Sequence, residues 1–260
     1  MAAPATADSR ITDPSERRFC ALVTRPREDA AGLVAALAAR GVATVVEPLL
    51  DIAYRGGPAP DLFGVQAILC TSANGVRALV RLVTERDLPL FAVGAASAAA
   101  ADDAGFARVA SADGNVEDLA ALVAERLSPD AGRLLQVAGS AVAGDLAGDL
   151  RERGFTVERA VLYDARPATA LGRTTVAAFD AGAIDAALFF SPRTAAIFAR
   201  LAAAVDLAPA MRRVTAISIS AAANAALAPL PFRDRRIALR PDQPSLLAAL
   251  DRLVAVGCAT

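Results

Sequence analysis

At 260 residues and 26.5 kDa the chain can bury a full core as one large domain or two small ones; its 55% hydrophobic content and mean hydropathy of +0.42 rest largely on alanine, and no uninterrupted apolar run reaches the roughly 18 residues of a membrane span. A formal net charge of −1 leaves no basic excess for nucleic acid. There is no histidine and no lysine, so all 27 basic residues are arginine, which removes a Ser-His-Asp triad, histidine-ligated zinc, a phosphate-loop lysine and a Schiff-base lysine in one step.

Residues 1–17, "MAAPATADSRITDPSER", mix acids, prolines and arginines without an apolar stretch. They read as a disordered lead-in and not a signal peptide, so the cytoplasm is the expected compartment. Strand-like runs follow at "FCALV" (from Phe19), "ATVVE" (Ala43), "VQAILC" (Val65), "LFAV" (Leu90) and "ARVA" (Ala107), separated by alanine-rich segments with helical spacing. A second set runs "GRLLQV" (Gly132), "FTVERA" (Phe155), "IDAALFF" (Ile184), "RVTAIS" (Arg213) and "RIALR" (Arg236), interleaved with helices such as "TAAIFARLAAAV" and "PSLLAALDRLV". Strands alternating with helices of about 10–15 residues imply parallel sheets covered on both faces. Cys20, Cys70 and Cys258 show no C-x-x-C spacing and read as two small core hydrophobes and a tail thiol.

The two sets are related. "ALVTRPREDAAGLVAALAARGVATVVEPLLDIAY" from Ala21 resembles "LLQVAGSAVAGDLAGDLRERGFTVERAVLYDARP" from Leu134, with Arg40-Gly41 and Arg153-Gly154 as matching helix stops. "AILCTSANGVRAL" from Ala67 matches "AALFFSPRTAAIF" from Ala186, and "FAVGAASAAAADDAGF" matches "TAISISAAANAALAPL". Ten strands in two sets of five predict an α/β protein of two flavodoxin-like, doubly wound parallel-sheet domains. The extended exits at 49–55 and 161–167 are expected as a two-stranded linker. One domain is then discontinuous, 18–48 with 168–260, and 56–160 is inserted into it.

In such sheets ligands sit beyond the carboxyl ends of the strands, where helix N-termini present free amides. Ser191 suits an N-cap with Pro192 as first helical residue, and Thr71 or Ser72 suits another, with the Asn74 amide beside it. Gly94 lets backbone approach a ligand, with Ser97 nearby, and Arg25, Arg27 and Arg193 stand at strand-to-helix turns where guanidinium can grip carboxylate. Each serine can also be no more than a cap, and each arginine no more than a solvated surface group. Together, amide-rich turns in both halves suit a clamp for a multiply anionic ligand. Tyr163 and Tyr54 are the only tyrosines and occupy matching exits. Tyr163 is either packing with a wet hydroxyl or a proton donor, and without histidine or lysine a phenol is one of the few acids available near neutral pH.

The ordered set "VTRP" (Val23), "TSANGV" (Thr71), "AVG" (Ala92), "AGF" (Ala104), "VLYDA" (Val161), "FFSPRTA" (Phe189) and "AIS" (Ala216) resembles the uroporphyrinogen-III synthase family, over nearly the whole chain after the lead-in. The resemblance implies two α/β domains on a two-stranded linker and a cyclising lyase with no cofactor and no metal. Its substrate is the multiply carboxylated linear tetrapyrrole hydroxymethylbilane, which loses its terminal hydroxyl as ring D inverts through a spiro intermediate to give uroporphyrinogen III. The family's tyrosine falls on Tyr163, proposed as the acid assisting hydroxyl loss; its hydroxyl after the first-repeat glycine falls on Ser97, and its serine-rich turns on Ser72 and Ser191. Ser218 or Ser220 takes the hydroxyl role where many relatives carry Thr-Thr, and Asn74 stands where relatives often have arginine. A monomer is expected, with no nucleic-acid or membrane partner. Two other readings remain: a non-catalytic two-domain binding protein or sensor for an anionic metabolite, and a degenerate relative acting in regulation or assembly.

Overall fold

The structure, a computed structural model, describes residues 18–141 and 144–257; the expected lead-in at 1–17 and Cys258 lie outside the described residues. Among those described, the strands are β1 (Cys20–Val23), β2 (Ala43–Val46), β3 (Leu50–Tyr54), β4 (Val65–Cys70), β5 (Leu90–Ala92), β6 (Val109–Ser111), β7 (Arg133–Gly139), β8 (Val157–Pro167), β9 (Ala186–Phe189), β10 (Thr215–Ser218) and β11 (Asp234–Ile237). The helices are α1 (Arg27–Ala38), α2 (Ala73–Leu79), α3 (Ala95–Asp103), α4 (Val116–Arg126), α5 (Leu146–Glu152), α6 (Arg173–Asp180), α7 (Pro192–Ala204), α8 (Ala208–Met211), α9 (Ala221–Ala225) and α10 (Gln243–Gly257). None is long and apolar enough to cross a membrane.

The chain divides into two compact units, one holding the residues up to Leu49 with those from Ala168 onward, the other Leu50–Pro167. The first carries an all-parallel sheet in the order β2-β1-β9-β10-β11. The second carries β3-β8-β7-β4-β5-β6, parallel except for β3. Matching β1-β2 with β7-β8, as the repeated sequence demands, gives both sheets one strand order. Both are flavodoxin-like, and the first is built from N- and C-terminal strands, so that unit is discontinuous as the sequence implied.

Each sheet is buried on both faces, which is why strands such as "VQAILC" read as continuous apolar runs. In the first unit Ala21, Val23, Leu188 and Ile217 pack with Leu33 and Leu37 of α1 and Leu246 and Leu250 of α10. Phe179, Phe189, Phe198 and Phe232 form a ring cluster with centroids 5.2 to 6.4 Å apart. In the second unit one face holds Leu135 and Val137 with Val76 and Leu79 of α2, and the other holds Leu134 with Leu119 and Val123 of α4 and Leu150 of α5.

One element departs from its expected form. The last strand, expected from Arg236 to Arg240, runs Asp234–Ile237, with Thr215 opposite Asp234 and Ser218 opposite Ile237. As an edge strand it follows partner geometry more than apolar pattern: Asp234 pairs with Arg236 at 2.9 Å, and Leu239 beyond it is 88% exposed. The extended exits form an antiparallel pair, Leu50 opposite Pro167 through Tyr54 opposite Tyr163, inside the second unit's sheet. β8 passes without a break from β7 to β3, whereas Pro48, with no N–H to donate, separates β2 from β3. Glu47 beside it accepts from the Gly172 amide and the Thr175 hydroxyl, so a carboxylate caps α6.

Candidate active site

A flavodoxin-like sheet opens its ligand crevice at the carboxyl edge, where strand order reverses; here that point lies between β4 and β7 in one unit and between β1 and β9 in the other. In the second unit Ser72 follows β4 in extended conformation and caps α2, its Oγ accepting from the Gly75 amide at 3.2 Å. The same Oγ lies 2.7 Å from the hydroxyl of Tyr163, either oxygen able to donate.

Tyr163 reaches that position through a bulge. Val161 of β8 stands opposite Ala138 of β7, and Tyr163 opposite Gly139, so two steps on β8 answer one on β7 and Leu162 is the extra residue. Consecutive strand residues ordinarily face opposite ways, yet Leu162 and Tyr163 both enter the core beneath α2. The bulge is what turns Tyr163 to the Ser72 side. Beneath the ring lies Gly139, where an added Cβ would stand 2.8 Å from Cε2 and Cζ and 3.2 Å from the hydroxyl. Tyr163 is 7% exposed, and its carbonyl accepts from the Ser140 amide at 3.0 Å.

Next along β8, Asp164 accepts two hydrogen bonds from Arg55, at 3.0 and 2.8 Å. The Arg55 hydrogen bond and then one from the Ser140 side chain bring its carboxyl down to about 2, against a smaller opposing effect of desolvation. Across the pair, the Arg81 guanidinium lies 4.0 Å from the centroid of the Tyr54 ring. Cys70, at the end of β4, is fully buried and its thiol is pushed up to about 12, which leaves it inert as a nucleophile.

The other expected residues fall into one group per unit. In the second, Thr71 is half-buried beside Ser72; Asn74 is buried, its Oδ1 accepting from Arg77 Nη1 at 2.9 Å. Gly94 is the extended N-cap of α3, and a Cβ there would meet nothing within 4 Å, so the space before that helix is open. Ser97 is buried one turn in. In the first unit Ser191 caps α7, its Oγ 3.1 Å from the Thr194 amide, and Arg193 is exposed in the first turn. Ser220 caps α9 at 3.3 Å from the Ala223 amide. Ser218 is fully enclosed and its hydroxyl has no hydrogen-bond partner among the described residues. Arg25 is held at the β1–α1 turn by Gln243 (3.1 Å), Asp29 (3.9 Å) and the Phe190 ring (4.6 Å to the centroid).

Arg55, Gly139, Ser140 and Asp164 were not among the expected site residues. One signal was available for Gly139, since glycine inside a buried strand marks a close approach. Among the described residues no group of three or more His, Cys, Asp or Glu side chains is placed to hold a metal ion.

The family model described as Uroporphyrinogen-III synthase HemD matches residues 31–248. A crystal structure of a mutant uroporphyrinogen III synthase from the extremely thermophilic bacterium Thermus thermophilus aligns with a TM-score of 0.55 at 21% identity, over 91% of this chain and 99% of that one. One of uroporphyrinogen-III synthetase from Helicobacter pylori aligns with a TM-score of 0.58 at 19% identity, over 91% and 99%. Comparison with curated protein sequences gives no match. At these identities the solved structures speak to the fold, which they share with this one, and the family match spans most of the sequence. The chain belongs to the uroporphyrinogen-III synthase HemD family.

Proposed function

We propose that the chain is a uroporphyrinogen-III synthase: it cyclises hydroxymethylbilane with loss of water and inversion of ring D, giving uroporphyrinogen III without a cofactor. The observation that carries this reading is the hydrogen bond between Tyr163 and Ser72 at the strand-order reversal, in a chain of this family. The reaction needs a proton for a departing hydroxide and needs the chain held bent for closure. Tyr163 supplies the proton from its hydroxyl; the departing group leaves as water, and the proton released on ring closure restores the phenol. Ser72, already anchored as a helix cap, holds the phenolic oxygen in place and can donate to it once it is deprotonated.

Substrate carboxylates are assigned to the turns: Thr71, Ser72, Asn74, Gly94 and Ser97 in the second unit, Arg25, Ser191, Arg193 and Ser220 in the first. Ser220 takes the place of Ser218, whose side chain is enclosed. The first-turn amides of α3 suit carboxylate, and Arg193 adds a full charge in the first turn of α7. Action in the cytoplasm as a monomer belongs to the same proposal, and sedimentation reads the second part. Purified protein mixed with hydroxymethylbilane is expected to yield the type III isomer on separation of products. Type I product alone, which forms spontaneously, excludes the synthase.

A further inference from the structure

We propose that Gly139 is a positioning residue for Tyr163, acting with the bulge at Leu162 to hold the phenol on Ser72; the proposal rests on the acid role given to Tyr163 above. The bulge decides which face the ring takes, and the missing Cβ at 139 decides how closely it lies on the strand. Gly139 has no left-handed φ that would call for glycine. An alanine is therefore allowed by the backbone, and its methyl carbon meets the ring itself: at 2.8 Å from Cε2 and Cζ one side must move.

The strand is poorly placed to yield. Arg159 Nη2 donates to the Gly139 carbonyl at 3.0 Å, and the Ser140 amide donates to the Tyr163 carbonyl at 3.0 Å, tying the two strands on both sides of the contact. Gly139, the last residue of β7, is itself buried and stands opposite Tyr163 of β8. The ring is the part that shifts, and with it the hydroxyl leaves Ser72. A displaced phenol still packs as a hydrophobe but no longer stands where the proton is needed.

The test is a double-mutant cycle read in turnover of hydroxymethylbilane to the type III isomer. Gly139→Ala is expected to lower kcat about 10- to 100-fold with KM changed less than about twofold, and in the Tyr163→Phe background to cost less than about twofold more. An equal loss in both backgrounds, or no loss in either, overturns the proposal. Should Gly139→Ala fold poorly, the comparison moves to stability: next to Tyr163→Ala the new methyl has room and is expected to leave Tm unchanged, and an undiminished drop there overturns the proposal. If the unmodified chain yields only type I product, the functional reading fails by itself and an optical readout decides the positioning claim. The sequence has no tryptophan and two tyrosines, so Tyr54→Phe leaves Tyr163 as the tyrosine reporter. Adding Gly139→Ala in that background is expected to change its near-ultraviolet circular dichroism, and an unchanged tyrosine band contradicts the proposal.

Discussion

Ser72 Oγ accepts from the Gly75 amide at 3.2 Å while lying 2.7 Å from the Tyr163 hydroxyl, so one oxygen caps a helix and fixes a phenol. The cap orients the serine before any ligand arrives, because its Oγ must point along the α2 axis to meet that amide. A group locked by a second hydrogen bond loses little freedom in holding a third partner.

Tyr163→Phe removes the proposed acid and keeps the ring. Turnover to the type III isomer is expected to fall by about 10- to 1000-fold, the scale of one positioned acid, while the thermal midpoint moves little because Ser72 retains its cap bond. Steady-state kinetics beside thermal unfolding separate the two effects.

Ser72→Ala is expected to act on both properties. Loss of the cap costs about 1 kcal/mol, and the nearly buried phenol loses its Ser72 partner, so stability and kcat fall together. Ser72→Thr keeps the hydroxyl and is expected to recover most of the stability in a urea titration. Equal stability of the alanine variant and the parent contradicts the capping role.

The Asp164–Arg55 pair carries a pH prediction. The folded carboxyl lies at about 2, below its ordinary value near 3.9 in an unfolded chain. Its contribution is therefore fully present above the unfolded value and is lost as pH falls through about 2. Replacing Arg55 by methionine removes the largest cause of the depression, and carboxyl NMR should show the Asp164 titration moving up toward the ordinary range. No movement means that Arg55 does not hold it.

Cys70 should resist thiol reagents. With the thiol pushed up to about 12 and the residue fully buried, labelling at pH 8 is expected to proceed at Cys70 only after denaturation, as read by mass spectrometry of the Cys70 peptide. Rapid labelling in the folded protein contradicts the packing described for β4.

The duplication was legible because it is local: strand period, helix period and the arginine-glycine stops recur, and Gly41 (φ 71°) and Gly154 (φ 89°) both take the left-handed turn that ends a helix. Tyr163 stood out through the scarcity of acids and through family resemblance. The bulge that aims it did not, since a bulge is a property of pairing between β8 and β7 that the sequence of β8 alone does not display. Arg25 reads as available at its turn, yet Gln243 reaches it from 218 positions away. The enclosed Ser218 has a similar cause: a serine closing an apolar run looks like an edge residue, and only the sheet position of β10 between β9 and β11 shows it covered. Edge strand β11 was misplaced because charged residues facing solvent hide the register that pairing imposes.

The central claim is that Tyr163, held by Ser72, gives the proton that starts ring closure. Single-turnover reaction of hydroxymethylbilane with the unmodified chain and with Tyr163→Phe, resolved into type I and type III products, tests it most directly. The account predicts type III from the unmodified chain and a rate lower by about tenfold or more from the variant. Undiminished formation of type III by the phenylalanine variant contradicts it.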